Sequence, residues 1–591
     1  MSTKHFVADA NGMVVGALRT LVACNPSMGI DETNRVNYSR THSRSKVSII
    51  SGGGSGHEPA WSGYVGEGML AAAANGEIFA SPSAKQVSAA IDAAPSDAGI
   101  ILAITNYTGD CLHFGLAREK ALSRGIKKIS VLRATDDVVI GRKASQGVGR
   151  RGLAGNILSL KIIGAAADDF WTFEQVMDLG EHANANLVSI GSSLDHCHVP
   201  GRENHEPVPS DACELGMGIH NEPGLQQLSP TPSIEQLMEG MLGYLLNQED
   251  ADRAYVKFAP GDDVVLLVNN FGGLSNLELN AVAQIAIRQL GTNWNITPVR
   301  TYSGTFETSL NGPGFSVSLL NISGAAQGIS KSPELILTLL DAPTTAPGWP
   351  RTFQASLASF ETETELMETS ASGSTKPSDA TDAYVDPAIL DRVIRRACTR
   401  ALNAEPELTR WDMQMGDGDC GKAVEEASRA IITKLDQGQT SSASLFDSLD
   451  AILGVLEDMG GTLGAIMSVY VASFAVHLRN GLSSDPSSLQ SVFAAASKDA
   501  LGGLFMHTSA RVGDRTVMDS LIPFCETFAE HGDLQRAVRA AEEGANSTKG
   551  MQARFGRATY MGDREGTAAP PDPGAWAIAE IVKGLLEGAQ G

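Results

Sequence analysis

A polar stretch in the middle of the chain, ETETELMETSASGSTKPSDATDAY at 361–384, constrains the fold more than any other feature. It consists largely of acids, Ser, Thr, Gly and Pro. Such a segment cannot bury enough apolar surface to offset its chain entropy, so it reads as a flexible linker. The 591 residues then fold as separate bodies. Length alone asks for the same, because a single hydrophobic core stops growing well short of that size.

The two sides of this stretch differ in periodicity. Before it, short apolar runs end in Gly or Asn turns: VSII (47–50) into SGGGSGHEP, GIILAIT (99–105) into NYTGD, KISVL (128–132) into RATDD, VVLLVNN (264–270) into FGG, SVSLLNI (316–322) into SG, and ELILTLLD (334–341) into AP. Helical spacing at 84–93 and 151–166 alternates with these runs, which predicts an α/β architecture. Ligands in such folds gather at the loops after the strands' carboxyl ends, where SGGGSGHEP and NYTGD fall. A Pro-, Gly- and His-rich seam near 195–260 predicts two lobes, 1–195 and 196–355, within a first domain 1–355. After a linker at 356–385, the segment 386–591 carries almost only helical spacing, as in SLFDSLDAILGVLEDMGG and AWAIAEIVKGLLEGA, and predicts an all-α domain.

Charge narrows the partners. With 45 basic and 68 acidic residues the net charge is −23, which repels nucleic acid and anionic membranes. A phosphate-bearing ligand must be held by local devices: a metal, a helix N-terminus or a nest of N–H groups. The seven Cys are scattered, odd in number and without a CxxC pair, which predicts a reduced, cytoplasmic protein. Asp9 and Arg19 interrupt the apolar N-terminus, so no signal peptide is expected. No run approaches about 18 uninterrupted apolar residues, so no membrane span is expected either.

Six motifs carry chemistry. SGGGSGHEP (51–59) is a glycine-rich loop delivering one imidazole, His57; it lacks the Gly-Lys-Ser/Thr of a Walker loop and the third glycine of GxGxxG. NYTGD (106–110) places Asp110 where a carboxylate can take a proton from a hydroxyl, although alone it reads as an ordinary turn or cap. GMGIHNEPG (216–224) holds His220 in a Gly/Pro loop, and neutral imidazole is a competent nucleophile near neutral pH. WDMQMGDGDCGK (411–422) packs Asp412, Asp417 and Asp419 together, an arrangement that asks for a hard cation, and its spacing is not that of an EF-hand. DMGGTLGA (458–465) puts a Gly-Gly turn at a helix start, ready for an anion. GDRTVMD (513–519), GRATYMGD (556–563) and PDPGA (571–575) offer Gly-flanked Arg and Asp. Asp195-His196-Cys197-His198 with His205 imitates a zinc site but lacks a clear fourth ligand and reads as a loop.

In their order along the chain, SGGGSGHEP, NYTGD, GRRGLAG, GIHNEPG, GDGDCG, DMGG, GDRT and DPGA resemble the single-chain ATP-dependent dihydroxyacetone kinases, and HCHVPG and LHFGLA resemble the fungal branch. The resemblance runs from about residue 5 to 588. It implies a two-lobed α/β kinase domain followed by an eight-helix barrel that binds ATP. It implies that His220 holds the ketone as a covalent hemiaminal, that His57 hydrogen-bonds the substrate and that Asp110 is the base, with Gly54, Ser55, Gly56 and Thr105 around the ketone. Two Mg²⁺ ions on Asp412, Asp417 and Asp419 are implied, with ATP against Asp419, Cys420, Gly421, Lys422, Thr462, Leu463, Gly502, Arg515, Thr516, Asp572, Pro573 and Gly574. A homodimer is implied as well, the helical domain of one chain serving the other's ketone site. Departures lie at the phosphate end: the family usually reads GDGDCGTT and GGTSGA where this chain has Lys422-Ala423 and Leu463. Relatives that act on glyceraldehyde or erythrulose, that cyclise FAD, or that bind the ketone only to regulate remain open alternatives.

Overall fold

The computed structural model describes residues 4–7, 10, 12–143, 149–202, 206–350, 385–415, 418–438, 444–459, 461–484, 489–552 and 569–590. The chain divides into two compact units, Met1–Thr362 and Glu363–Gly591.

The first unit carries two six-stranded sheets. One is formed by β1 (Met28–Asp31), β2 (Val36–Ser39), β3 (Ser48–Ser55), β4 (Ala72–Ile78), β5 (Ile100–Thr105) and β6 (Ile129–Ala134), in the order β1-β2-β4-β3-β5-β6. Strands β4, β3, β5 and β6 run parallel. The other contains β7 (Leu187–Ser193), β8 (Cys213–Leu215), β9 (Gln226–Leu228), β10 (Val264–Asn270), β11 (Arg300–Gly304) and β12 (Gly314–Asn321), in the order β11-β10-β12-β7-β8-β9. Strand β7 lies before residue 195 yet pairs with β12 across seven residue pairs, from Leu187–Leu320 to Ser193–Gly314. It therefore belongs to the second sheet.

Nine α-helices accompany these sheets among the described residues: α1 (Met13–Cys24), α2 (Ala84–Ala93), α3 (Thr108–Ser123), α4 (Asn156–Asp168), α5 (Phe173–Ala185), α6 (Ile234–Leu246), α7 (Asn276–Trp294), α8 (Ile322–Gly328) and α9 (Pro333–Asp341). Ser83, Thr172 and Ser233 start α2, α5 and α6 with reciprocal capping boxes to Gln86, Gln175 and Gln236. Helices α2 and α3 cover one face of the first sheet, and α6 and α7 cover one face of the second. Between the sheets a shared core joins Ile49 and Ile101 to Leu187, Leu267 and Leu320 through α4. Helix α4 is accordingly apolar almost all round, the signature of a helix packed on every side. The run 334–341, expected as a strand, is the helix α9: Pro333 sits in its first turn, and the buried Ile336, Leu339 and Leu340 follow a helical period.

The second unit is all helix among its described residues: α10 (Pro387–Met415), α11 (Cys420–Asp436), α12 (Leu445–Asp458), α13 (Gly461–Ser484), α14 (Leu489–Phe505), α15 (Met518–His531), α16 (Leu534–Ser547) and α17 (Pro573–Gln590). Each packs on its neighbours in sequence, and α10 packs on α17, so eight helices close a ring. The ring encloses an apolar cavity of about 430 Å³, lined among others by Ile394, Ile431, Ile452, Met467 and Phe474. Residues Gly461–Leu482 of α13 are long and apolar enough to cross a membrane by length and composition. The sequence criterion of an uninterrupted run passed over this helix because Gly, Ser, His and Arg break it. Its Met467, Tyr470, Val471 and Phe474 line the cavity, which accounts for its apolar character within the ring.

Leu158, fully buried in α4, belongs to the core common to both sheets. Leu158→Ala is expected to cost about 2–5 kcal/mol and to lower the thermal midpoint of the first unit, measured by calorimetry.

Candidate active site

The first sheet reverses its winding at β3. The chain leaves β3 for β4 on one side, and β5 returns on the other, so the loops after β3 and β5 diverge and leave a crevice at their carboxyl ends. Gly54 and Ser55 end β3, Gly56 and His57 follow it, Thr105 ends β5, and Asp110 lies in the first turn of α3. Gly56 adopts a left-handed φ of 101°, and a Cβ there would strike the ring of Phe79. His220 arrives from the second sheet, in the loop between β8 and β9.

The structure brings the two histidines together, Nε2 to Nε2, at 3.1 Å. Each ring is held from behind by an acceptor. The Nδ1 of His57 faces the Thr308 carbonyl at 2.7 Å, and the Nδ1 of His220 faces Glu222 Oε1 at 2.9 Å. A carbonyl and a carboxylate can only accept, so each Nδ1 is the donor, and the two Nε2 atoms are left to face each other at the crevice. Burial, then His220, pushes His57 down to about 3, so it is neutral at physiological pH. Burial works to raise Glu222, but the hydrogen bond and charge of the His220 side chain, its backbone N–H and, least of these, the charge of Arg151 outweigh it and hold the carboxyl at about 2. Phe79 stacks on His57 at 5.0 Å, while Tyr107 meets His220 edge-on at 4.7 Å. Asn221 exchanges hydrogen bonds with the backbone of Cys197, which anchors the His220 loop.

Asp110 is 5% exposed, and its Oδ1 has no hydrogen-bond partner. Burial pushes it up to about 6, against a hydrogen bond from Ser81 and the pull of His220. A buried carboxyl with a free oxygen beside two imidazoles is equipped to take a proton from a hydroxyl. The segment before β12 closes this site: Thr308 N–H donates to the His57 carbonyl, and Leu310 N–H donates to that of Gly56. Glu222 and Thr308 were not singled out in the sequence. Glu222 stood in GIHNEPG two residues after the histidine, but Thr308 is 251 residues from His57 and left no local signal.

In the second unit the residues expected at the phosphates sit on one end of the ring. Asp412 is near the end of α10, and Asp419, Cys420, Gly421 and Lys422 begin α11. Thr462 and Leu463 begin α13, and Gly502 is near the end of α14. Arg515 and Thr516 precede α15, and Asp572, Pro573 and Gly574 begin α17. Up-and-down helices place alternate termini at the same end, so sequence neighbours in different motifs become spatial ones. Asp417 lies outside the described residues, as do 556–563 and His205. Asp412 accepts from Cys420 N–H at 3.0 Å. Burial, then Asp412, Asp572 and Asp419, pushes the Cys420 thiol up to about 12. No preformed group of three metal-ligating side chains exists among the described residues. Arg515 is 1% exposed; its Nη2 donates to the Pro570 carbonyl, while Nε and Nη1 have no partner. Two bare buried guanidinium donors fit anionic oxygens. Thr462 is exposed, whereas Leu463 turns into the apolar interior against Met459 and Trp576. Its side chain is a core residue, since that position of α13 faces the cavity, so only its N–H stands at the helix start.

One consequence concerns stability. The folded pKa of Asp110 lies above the usual carboxyl value of 3.8, so ionising it costs stability as pH rises from about 4 through 6. Asp110→Asn is expected to raise stability by about 1–3 kcal/mol at pH 7.5, with the gain vanishing near pH 4, in paired thermal melts.

Comparison with known proteins matches this geometry to a family. Residues 19–348 match the Dak1 domain and 414–587 the DAK2 domain. A dihydroxyacetone kinase of Pichia angusta is 40% identical, over 99% of this chain and 98% of its own. The triokinase/FMN cyclase of Homo sapiens is 34% identical, with 99% of each chain covered. The dihydroxyacetone kinase from C. freundii, solved in complex with AMP-PNP and Mg²⁺, aligns with a TM-score of 0.60 at 27% identity over 99% of this chain and all of its own. With both domains matched in order and full-length relatives at this identity, the chain belongs to the single-chain dihydroxyacetone kinase family.

Proposed function

We propose that this kinase phosphorylates dihydroxyacetone with Mg-ATP, holding the ketone as a covalent hemiaminal on Nε2 of His220. The observation that carries the reading is the His220 ring itself: Glu222 occupies Nδ1 at 2.9 Å, and the lone pair on Nε2 is left facing the crevice. Attack forms a bond from Nε2 to the carbonyl carbon while the carbonyl electron pair moves to oxygen. The oxygen gains one proton and the imidazole gives one up, so the adduct is an isomer of histidine plus ketone. The Nδ1–H, made acidic by the new bond, already faces a carboxylate. A covalent bond compensates for the few contacts that so small a ligand can make, and it excludes alcohols that have no carbonyl.

Phosphoryl transfer then needs a positioned hydroxyl and neutralised phosphate charge. Asp110 takes the proton of the attacking hydroxyl as its oxygen bonds to the γ-phosphorus, and the bond to the β-phosphate oxygen breaks to leave ADP. Asp412, Asp417 and Asp419 would hold Mg²⁺, two ions in our reading, which supply the positive charge that a chain of net charge −23 lacks. The N–H groups at the starts of α11, α13 and α17, with the bare donors of Arg515, would take the nucleotide's phosphates. We place the enzyme in the cytoplasm as a homodimer whose helical unit serves the partner's ketone site. The 34% identical triokinase/FMN cyclase keeps a second reading in view, that the same nucleotide site cyclises FAD. Incubation with FAD and Mn²⁺ tests it, and absence of a cyclic product removes it.

His220→Ala is expected to abolish the adduct in intact-mass spectra of the ketone-soaked protein; an adduct on another residue would sink the assignment. Asp417→Ala is expected to reduce coupled ATP turnover to background while the adduct persists. Turnover of the wild type is expected to fall as pH drops through about 6, where Asp110 takes up its proton. Mixing the His220→Ala and Asp417→Ala proteins is expected to restore partial turnover, because a dimer of the two holds one intact pair of sites in trans.

A further inference from the structure

The motif GRRGLAG spans 149–155. Its second arginine, Arg151, lies in the segment between β6 and α4, with its side chain 13% exposed. The guanidinium is fixed on two sides. Nε donates to Asp137 Oδ2 at 2.7 Å, and Nη2 donates to the Gly216 carbonyl at 2.9 Å, on the strand end that leads into the His220 loop. Asp137 is fully buried, and its other oxygen accepts from Val139 N–H at 2.9 Å. The remaining nitrogen, Nη1, lies against Gly218 from one side, and Glu222 Oε2 lies against it from the other. A Cβ at position 218 would collide with both, so this glycine is the spacer between guanidinium and carboxylate. Glu222 spends Oε1 on His220 Nδ1 and Oε2 on the His220 backbone N–H at 2.9 Å.

We propose that Arg151 is a positioning residue for the covalent step. Across Gly218 it keeps Glu222 as an ionised acceptor for the Nδ1–H of His220, and Asp137 holds Arg151 in that place. The chain Asp137–Arg151–Glu222–His220 alternates acid, base, acid and imidazole, with one guanidinium between two carboxylates and the charge of Arg150 also acting on Asp137. Such alternation is what allows ionised groups to stay buried beside a nucleophile that must stay neutral. The electrostatics agree: the charge of Arg151 lowers Glu222, and Glu222 and Asp137 both raise Arg151. The other groups facing the pair are His57 after β3, Tyr107 and Asp110 at the start of α3, and Cys197, and none of these carries a fixed positive charge. Without the guanidinium, Glu222 would face the imidazole uncompensated and favour its protonated form. Protonation would consume the Nε2 lone pair.

This inference rests on His220 being the covalent residue, and the experiment separates the two claims. Adduct formation is followed against pH by ¹³C NMR with dihydroxyacetone labelled at the carbonyl, together with intact mass. The wild type gives an adduct on His220 with an acid limb, where the fraction bound falls. In Arg151→Met that limb is expected to move up by about one pH unit, with KM for the ketone rising more than kcat falls. Arg151→Lys, which keeps the charge, is expected to stay close to the wild-type limb. Because Arg151→Met deprives buried Asp137 of its side-chain ion pair, the double variant Asp137→Asn/Arg151→Met is measured beside it and is expected to shift in the same direction. If neither folds, Gly218→Ala, which wedges guanidinium from carboxylate, carries the test with the same expected shift. A folded double variant or Gly218→Ala protein that keeps the wild-type limb overturns the proposal, as does an Arg151→Lys limb displaced as far as that of Arg151→Met. Absence of any His220 adduct in the wild type would instead remove the covalent reading itself.

Discussion

The approach of two imidazole Nε2 atoms to 3.1 Å is the constraint on which the first unit turns. His57 comes from the first sheet and His220 from the second, so the contact exists only while both sheets hold their places. Each ring is pinned from behind, one by a backbone carbonyl and one by a carboxylate, so the two Nε2 atoms are left to face each other. That arrangement persists because the surrounding packing over-determines the place of each ring.

That over-determination is visible in the layers. The core shared between the sheets runs through α4, a helix buried on nearly every face. The segment Glu307–Leu310, which supplies the Thr308 carbonyl, is itself tied to the loop after β3 by the hydrogen bonds of Thr308 and Leu310. The loop that carries His220 is held by Asn221 on Cys197 and by Arg151 on Gly216. Mechanical anchoring and charge compensation therefore arrive through the same residues.

The second unit solves a different problem with different means. In our reading an acidic chain has to meet a polyanionic nucleotide, and bulk charge works against it. The ring of helices gathers helix starts, carboxylates and a buried arginine with two free donors at one end, the local devices which that reading requires. Apolar side chains fill the wall of the ring and leave the polar ends for the ligand, which is why Leu463 can stand at a helix start while its side chain faces the cavity.

The central polar stretch, the change of periodicity across it and the glycine-rich turns after apolar runs were enough to determine the division into an α/β and an all-α unit, because these follow from local composition and period. The motif order likewise determined the family, and it pointed to His57, Asp110 and His220, which the fold gathers around one crevice. Two readings failed where local signals conflict: the apolar run at 334–341 suits a strand until Pro333 and the spacing of its buried residues are seen packed as a helix, and β7 precedes the seam yet pairs beyond it. What only the tertiary structure decided is the state of the groups. That Thr308 fixes the tautomer of His57 and that Arg151 faces Glu222 across Gly218 are relations between segments up to 251 residues apart. Protonation depends on burial and on the nearest charge in space, and neither is a property of neighbours along the chain.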